Sequence, residues 1–285
     1  MHRFAVPAAL IAALSLAPLA DAGLVDVGTF SYYNVITLQN FTGTNSDVEG
    51  TLAVGGAGSF TNYGLGQKLN SSANGKDTVV VGGAMTSSNA NVFFGDVRAG
   101  SSSGSLSVPN GVVRTTGLPN FNDAATYGAN ASTYLSGLTT NGTTTFGNSN
   151  TLVTLAGADS SLNVFTIAGN LLSGVNTFQL NIPTSSTAII NVTGASSGLQ
   201  NAGYFINGAQ PSYGSGAGAK VLFNFSSAST LTFSGIGIFG SILAPNAAVN
   251  FANGQINGDL LVKSFSGGGQ LNLNPYTGID VSPVP

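Results

Sequence analysis

The segment FGSILAPNAAVNFANGQINGDLLVK, from Phe239 to Lys263, contains two near-copies of one phrase, Phe-Gly-Ser-Ile-Leu-Ala and Asn-Gly-Asp-Leu-Leu-Val. Their glycines, Gly240 and Gly258, are 258 − 240 = 18 residues apart, close to the periods of stacked structural repeats. Looser copies occur at 48–54 and 93–99. The pattern predicts a coil of parallel β-strands with glycine at a tight corner, where a positive φ or a close approach of backbones excludes other residues.

The aliphatic residues of the phrase indicate which side chains face the interior of the coil. Side chains alternate between the two faces of a strand, so we expect Ile242–Ala244 and Leu260–Val262 to supply inward layers of the coil. Pro245 should lie at the turn after its strand, because proline cannot donate to a β-ladder.

Strand-like runs recur from one end of the chain to the other. Each is rich in β-branched and aromatic residues and is bounded by Gly, Asn or Ser, which favours strands separated by turns. The predicted strands are 33–38, 48–54, 78–81, 91–97, 151–155, 162–168, 177–182, 188–192, 221–225, 230–238 and 260–265. The sequence therefore predicts an all-β fold, a parallel β-solenoid.

One segment departs from this pattern. Between Asn122 and Leu138 the bulky residues have helical spacing and follow the potential N-caps Asn122 and Asp123, which predicts a single flanking α-helix at about 122–138. Gly128 weakens the case for an unbroken helix. The Gly-rich stretches 99–104 and 208–218 are expected to be surface loops, and neither resembles an interdomain linker.

The N-terminal segment predicts secretion. Residues 1–22 have a basic start, an apolar run and the small-residue site Ala20-Asp21-Ala22, as in a signal peptide. We expect residues 23–276 to form one domain and 277–285 a short tail, at which either the chain is released or an anchoring signal is missing.

The composition of the chain excludes several classes of function. Only 6% of residues are charged, against about 25% in typical proteins, and no basic stripe suggests nucleic-acid binding. No later stretch is long and apolar enough to span a bilayer. Cysteine is absent and the only histidine is His2, which excludes disulfides, thiolate and imidazole metal sites, and Ser-His-Asp or Cys-His catalysis in the mature chain.

Carboxylate chemistry remains as a route to catalysis, as in a β-helix polysaccharide-degrading enzyme. The candidate residues are scattered without a local cluster: Asp47, Glu49, Asp77, Asp96, Asp123, Asp159, Asp259, Lys68, Lys76, Arg98, Arg114, Lys220 and Lys263. We therefore expect no enzyme and assign no catalytic, cofactor-binding or metal residues. Asp47 and Glu49, two residues apart, face one side of a strand; the alternatives are a calcium site and a solvated or hydrogen-bonded structural pair, which we favour.

The wealth of threonine raises ice binding as an alternative function, which would use a flat face of regularly stacked Thr-x-Thr pairs. The visible pairs are Thr143-Thr145 and Thr230-Thr232. They do not recur at a rung period, so ice binding is the second choice.

Four phrases resemble the choice-of-anchor A family of secreted bacterial surface proteins, also described as collagen-binding or adhesive domains. They are YNVITLQNF (33–41), SDVEGTLAVGG (46–56), GIGIFGSILAPNAAV (235–249) and GQING (254–258). The resemblance spans about residues 30–276 and implies a β-solenoid adhesive module displayed outside the cell. The implied partners are an extracellular protein or polysaccharide, collagen-like material or another copy of the chain, bound through broad Ser/Thr/Asn-rich faces.

Overall fold

The computed structural model describes residues 24–281, so the predicted signal peptide lies outside the described residues. The described part contains 21 strands and two α-helices, with two short 3-10 helices at Gly28–Tyr32 and Ser71–Ala73. The helices are α1 (Asn122–Ser136) and α2 (Gly169–Leu172). The strands are β1 (Val35–Thr37), β2 (Phe41–Val48), β3 (Leu52–Val54), β4 (Gly58–Leu65), β5 (Asp77–Val92), β6 (Asp96–Ser107), β7 (Val113–Arg114), β8 (Thr143–Gly147), β9 (Leu152–Ala156), β10 (Leu162–Ala168), β11 (Thr177–Asn181), β12 (Thr187–Thr193), β13 (Ser196–Gln200), β14 (Gly203–Ile206), β15 (Val221–Asn224), β16 (Thr230–Ser234), β17 (Ile236–Phe239), β18 (Ser241–Phe251), β19 (Gly254–Asn257), β20 (Leu260–Gly267) and β21 (Gln270–Asn272).

Nearly all strand pairs are parallel, as the repeated phrase predicts, and they form a solenoid-like stack with three faces. The first face, which carries α1, is called here the helix-covered face. Its strands are stacked in the order β7-β6-β5-β3-β1-β20-β18-β15-β12-β10. The second, called the hydroxyl face, has the order β6-β5-β4-β2-β20-β18-β16-β13.

The third face is built from β17, β19, β21 and the C-terminal ends of β2, β4 and β5. A separate sheet, β14-β11-β9-β8, lies beside β17. There Tyr204 donates a hydrogen bond to the carbonyl of Phe239 (2.8 Å). Within this second sheet only β8 and β9 run antiparallel.

Chain order and stacking order differ, because β1 pairs with β20 as well as with β3. From β1, in the middle of the stack, the described chain winds to β7 and is carried by α1 to the other end, from which it winds back. Contacts along α1 trace this path: Gly128 packs on Leu261 of β20, Ser132 bonds to Asn224 of β15, and the Leu135 carbonyl accepts from Asn191 of β12. Gly128 lets the helix approach closely, because a Cβ there would lie 2.8 Å from Leu261 Cδ2, and α1 remains unbroken.

The 18-residue spacing is confirmed as one turn of the coil, since Ile242 is the partner of Leu260 and Ala244 of Val262. These four residues face the interior, as expected. Leu243 and Leu261 between them face outward and are buried under α1. One face is therefore apolar on both sides, which explains why its strands have continuous apolar runs.

The two glycines of the phrase have different roles at stacked corners. Gly240 has φ +152°, a conformation that side chains disfavour. Gly258 has no such φ, but a Cβ there would lie 2.3 Å from the Gly240 carbonyl oxygen, so close approach requires it. Pro245 lies within β18 and not after it, at the shift in register between Ala244 and Ala248 where no regular ladder bond is needed.

The interior is packed with aromatic rings stacked from one rung to the next. Phe41 stacks on Phe265 (ring centroids 4.8 Å apart) and on Phe60 (5.6 Å). Burying each such side chain contributes about 1.5–3 kcal/mol. This stack crosses the junction between the two windings, and so joins the N-terminal and C-terminal halves into one core.

Several boundaries predicted from sequence are wrong. The predicted strands 48–54, 91–97 and 230–238 are each divided by a corner, at Gly50, Gly95 and Gly235. The stretch 99–104 is part of β6 and not a loop. Its serines and glycines have little intrinsic preference for a strand, but pairing with β5 holds them in one. Helix α1 starts as predicted, but its N-cap residue is Phe121, with no side-chain cap.

Candidate interaction face

Small polar side chains form a continuous row across the hydroxyl face. On its strands the inward positions are apolar or glycine for the most part, as with Phe41, Phe60 and Met85, so the alternate positions face solvent. The register joins seven of them in one row: Ser103, Thr86, Ser59, Thr42, Ser266, Asn250 and Thr232. None of the seven is charged.

A second row lies two residues further along three of these strands. Thr44, Thr61 and Ser88 are partners in register, so β2, β4 and β5 each present a pair of the form Ser/Thr-x-Ser/Thr. The two members of a pair are about 6.6 Å apart along their strand, and pairs on neighbouring strands are about 4.8 Å apart. With Gly198 of β13 at its end, the first row crosses eight strands, and seven spacings give a length of about 34 Å.

An asparagine ladder fixes the edge of this double row. Asn45, Asn62 and Asn89 follow the second row, and all three have positive φ (52°, 49° and 58°), which asparagine tolerates better than most residues. Asn62 donates to Asn45 (2.9 Å), and Asn89 donates to Asn62 (3.0 Å). The ladder holds three corners in register, so the hydroxyl positions are fixed before any ligand binds.

Sequence reasoning found only part of this face. Thr230 and Thr232 lie on it, but Thr143 and Thr145 lie on β8 of the second sheet. The pairs Thr42-Thr44, Ser59-Thr61 and Thr86-Ser88 were missed. Their turns differ in length, 17 and 27 residues, and two of the pairs contain serine, so a search for Thr-x-Thr at a constant period does not find them.

Asp47 and Glu49 lie on the third face, away from the hydroxyl rows. Glu49 is 3% exposed, and its two oxygens accept hydrogen bonds from the Tyr213 hydroxyl and the Leu273 amide. Asp47 accepts from Gln270 (3.4 Å), and burial raises the pKa of Asp47 above its ordinary value. Because both Glu49 oxygens are occupied, the geometry favours the structural pair over a calcium site.

Four other candidate residues meet at the β7 end of the coil. Arg98 pairs with Asp77 (2.6 Å), and Arg114 pairs with Asp96 and lies 3.7 Å from Asp77. Burial opposes ionisation of Asp96, but hydrogen bonds from Arg114 and the Val112 amide outweigh it and hold its pKa below the ordinary value. Both acids are paired with arginine, so this cluster ties β5, β6 and β7 together.

Asp259 is buried where the two ends of the described chain meet. Its Oδ2 atom accepts from the Leu24 amide (3.0 Å) and the Tyr276 amide (2.9 Å). Burial raises its pKa to about 6, although both amide bonds act in the opposite direction. Asp259 thus holds the terminal segments against the coil. Part of the predicted tail also packs there, since Thr277 donates to the Ala219 carbonyl (2.8 Å).

The remaining charged candidates are dispersed. Asp159 caps the turn before β10, and hydrogen bonds from Ser161 lower its pKa; Lys220 bonds to the Ser185 carbonyl. Asp123 lies in the first turn of α1, Lys76 lies over the ring of Tyr32, and Lys263 lies on β20. The Lys68 amide donates to the Glu49 carbonyl.

Within residues 24–281, no group of three His, Cys, Asp or Glu side chains has metal-binding geometry. No helix of the same range is long and apolar enough to cross a membrane.

A search of curated protein sequences gives no match. Among solved structures, the chain is similar to an ice-binding protein from an Antarctic bacterium, Flavobacteriaceae, at 16% identity and a TM-score of 0.36, over 83% of this chain and 76% of that one. A family model described as "Putative Ice-binding-like adhesive domain" matches residues 26–273. An adhesive-like family was expected from the sequence, while the narrower choice-of-anchor A assignment stays a prediction. The chain belongs to the ice-binding-like adhesive domain family.

Proposed function

We propose that this protein is a secreted, non-enzymatic β-solenoid adhesin that binds extracellular protein or polysaccharide through its hydroxyl face. The observation that carries the proposal is the uncharged double row on that face, fixed by the asparagine ladder. Many short side chains, each losing little conformational entropy on binding, suit a surface that makes many weak contacts at once. The family description and the choice-of-anchor A resemblance point the same way.

An adhesion assay with a charged substitution in the row tests this function. Thr42→Lys combined with Thr86→Lys places two long cationic side chains in the first row, while Thr133→Lys on the exposed side of α1 is the control. The labelled mature chain should bind cells, collagen or matrix glycans; the double variant should lose most of that binding and the control should keep it. Adhesion that is unaffected by the double variant excludes the hydroxyl face as the adhesive surface.

Ice binding is the second candidate, favoured by one observation. The paired rows repeat at about 4.8 Å and 6.6 Å on parallel strands, and they form a regular array of hydroxyl groups, with methyl groups where the residue is threonine. Thermal hysteresis and ice-recrystallisation assays on the wild-type chain and the same two variants separate the two functions. Activity in the wild-type chain that the double variant loses would establish ice binding, and inactive wild-type protein would remove it.

A polysaccharide-degrading enzyme has less support. A groove with three or more of the candidate carboxylates would favour it, whereas Asp47 and Glu49 are the two carboxylates that line the groove on the third face. We propose that the chain binds glycans without cleaving them. Release of products from glycans bound by the purified protein would contradict this.

A further inference from the structure

The third face carries a groove whose floor is a row of planar polar side chains. Gln255 and Gln270 are partners in register, and Gln270 donates to the Asp47 carboxylate in the next rung (3.4 Å). Strands of such a sheet are about 4.8 Å apart. The groove therefore presents an amide, an amide and a carboxylate at regular intervals along its length.

One wall of the groove is built by the loop between β14 and β15. Tyr213 on this loop is 46% exposed. Its hydroxyl donates to Glu49, and the Lys68 ammonium lies 5.3 Å from its ring centroid. These two contacts hold an otherwise exposed aromatic ring at a fixed place beside the polar floor.

The size and lining of the groove indicate the class of ligand. Its volume is about 630 Å³, and every residue that lines it has a polar side chain. A second chamber of about 320 Å³ lies next to it, and Tyr213, Lys68 and Glu49 border both. A lining without aliphatic side chains does not suit an apolar ligand.

Charge and hydrogen-bonding capacity narrow the class further. With Asp47, Glu49 and Lys68 ionised, the formal charge is −2 + 1 = −1, which disfavours phosphates and other anions. Asp47 Oδ1 is buried and has no hydrogen-bond partner among the described residues. Amide and carboxylate groups offer paired donors and acceptors, which match neighbouring hydroxyls of a sugar, and an aromatic ring can pack on the C–H face of the sugar ring.

We propose that this groove is a binding site for a neutral oligosaccharide, with Tyr213 as the stacking residue and Gln255, Gln270 and Asp47 as hydrogen-bonding residues. The proposal deepens the adhesive function by naming a ligand class, and it rests on that function only in assuming an extracellular glycan. The groove is separate from the hydroxyl face, so one protein has two independent contact surfaces.

Isothermal titration of the mature chain with cellohexaose, laminarihexaose, maltohexaose, xylohexaose and mannohexaose tests the site. At least one probe should bind, and Tyr213→Ala and Gln270→Ala should each weaken binding about tenfold or more. The matched controls are Tyr134→Ala on α1, where the tyrosine is 38% exposed, and Gln200→Ala at the exposed end of β13. Both controls should bind as the wild type does. Tyr213→Phe, which keeps the ring, should bind more tightly than Tyr213→Ala.

Two results would overturn the assignment: no binding of any probe, or binding that Tyr213→Ala and Gln270→Ala leave unchanged while their melting temperatures stay normal. The hydroxyl-face variant Thr42→Lys/Thr86→Lys should keep oligosaccharide binding. Loss of matrix adhesion in that variant with intact oligosaccharide binding would support both sites. Adhesion by a wild-type chain that binds none of the probes would reject the groove and leave the adhesive function standing.

Discussion

Replacing Gly258 by alanine should destabilise the coil at the repeat that defines it. A Cβ at this position would lie 2.3 Å from the oxygen and 2.5 Å from the carbon of Gly240, and 2.6 Å from the Ser241 nitrogen. These three atoms are backbone, so a change of side-chain rotamer cannot relieve the contact. The two rungs must separate by about 1 Å, since non-bonded heavy atoms prefer about 3.5 Å.

The cost follows from the ladder bonds beside this contact. Gly240 donates to the Asn257 carbonyl (3.0 Å) and Ile242 to the Asp259 carbonyl (2.8 Å), and a shift of about 1 Å breaks both. Each bond contributes about 0.5–1.5 kcal/mol, and overpacking adds about 1–3 kcal/mol. We expect Gly258→Ala to lower the free energy of unfolding by about 4 kcal/mol and the melting temperature by about 8–16 °C.

Urea unfolding followed by circular dichroism measures this loss as a lower midpoint at an unchanged slope. The matched control is Gly174→Ala, where the nearest atom to an added Cβ is the Leu171 oxygen at 3.7 Å and φ is not positive. Alanine there should be neutral or stabilising by up to about 1 kcal/mol, because it restricts the unfolded chain. Equal midpoints for Gly258→Ala and wild type would refute the claim that close approach of rungs requires this glycine.

Three further predictions concern buried or strained polar groups. The pKa of Asp259 is about 6 in the folded protein and about 3.9 in the unfolded chain. The free energy of unfolding should therefore fall by about 3 kcal/mol as pH rises from about 4 to 6. In melts at different pH, Asp259→Asn should remove this fall, and the surface control Asp26→Asn should keep it. Asn224 is fully buried and bonds to α1 and to a neighbouring strand, so Asn224→Ala should cost about 3 kcal/mol in urea unfolding; a cost below that of Ser132→Ala would contradict its bridging role. Asn62→Ala should cost about 2 kcal/mol and Asn62→Gly about 1, because glycine restores the positive φ but not the ladder bonds; equal midpoints for the two would argue against backbone strain.

The repeated phrase predicted more of the fold than its length suggests. It correctly gave parallel strands in a solenoid-like stack, the 18-residue spacing and the inward side chains Ile242, Ala244, Leu260 and Val262. It worked because the two stacked strands β18 and β20 each place two inward aliphatic residues at the same spacing after a corner glycine. Helix α1 was also predictable, since helical periodicity stands out against a background of period two.

The corners within predicted strands were not predictable. Gly50, Gly95 and Gly235 divide runs that are rich in β-branched and aromatic residues. Whether such a run turns depends on what is stacked above and below it. The same holds for the serines of β6, which are extended because β5 pairs with them.

The candidate surfaces depended even more on tertiary structure. The hydroxyl row joins residues that lie between Thr42 and Ser266 in the sequence and that no short sequence window contains. The groove joins Asp47 to Gln270 and Tyr213. Turn lengths of 17, 27 and 18 residues hide the alignment of side chains from any search at a constant period.

By itself the sequence determined the class of the molecule: a low-charge, cysteine-free, mostly β chain that buries apolar layers between parallel strands and has one long helix. These features follow from composition and from the local spacing of residues within the strands and the helix. Only the tertiary structure decided the order of the rungs, because β1 pairs with β20 across the whole length of the chain and α1 carries the chain to the far end. That order, which depends on contacts between distant residues, places the hydroxyl row on one face and the polar groove on another.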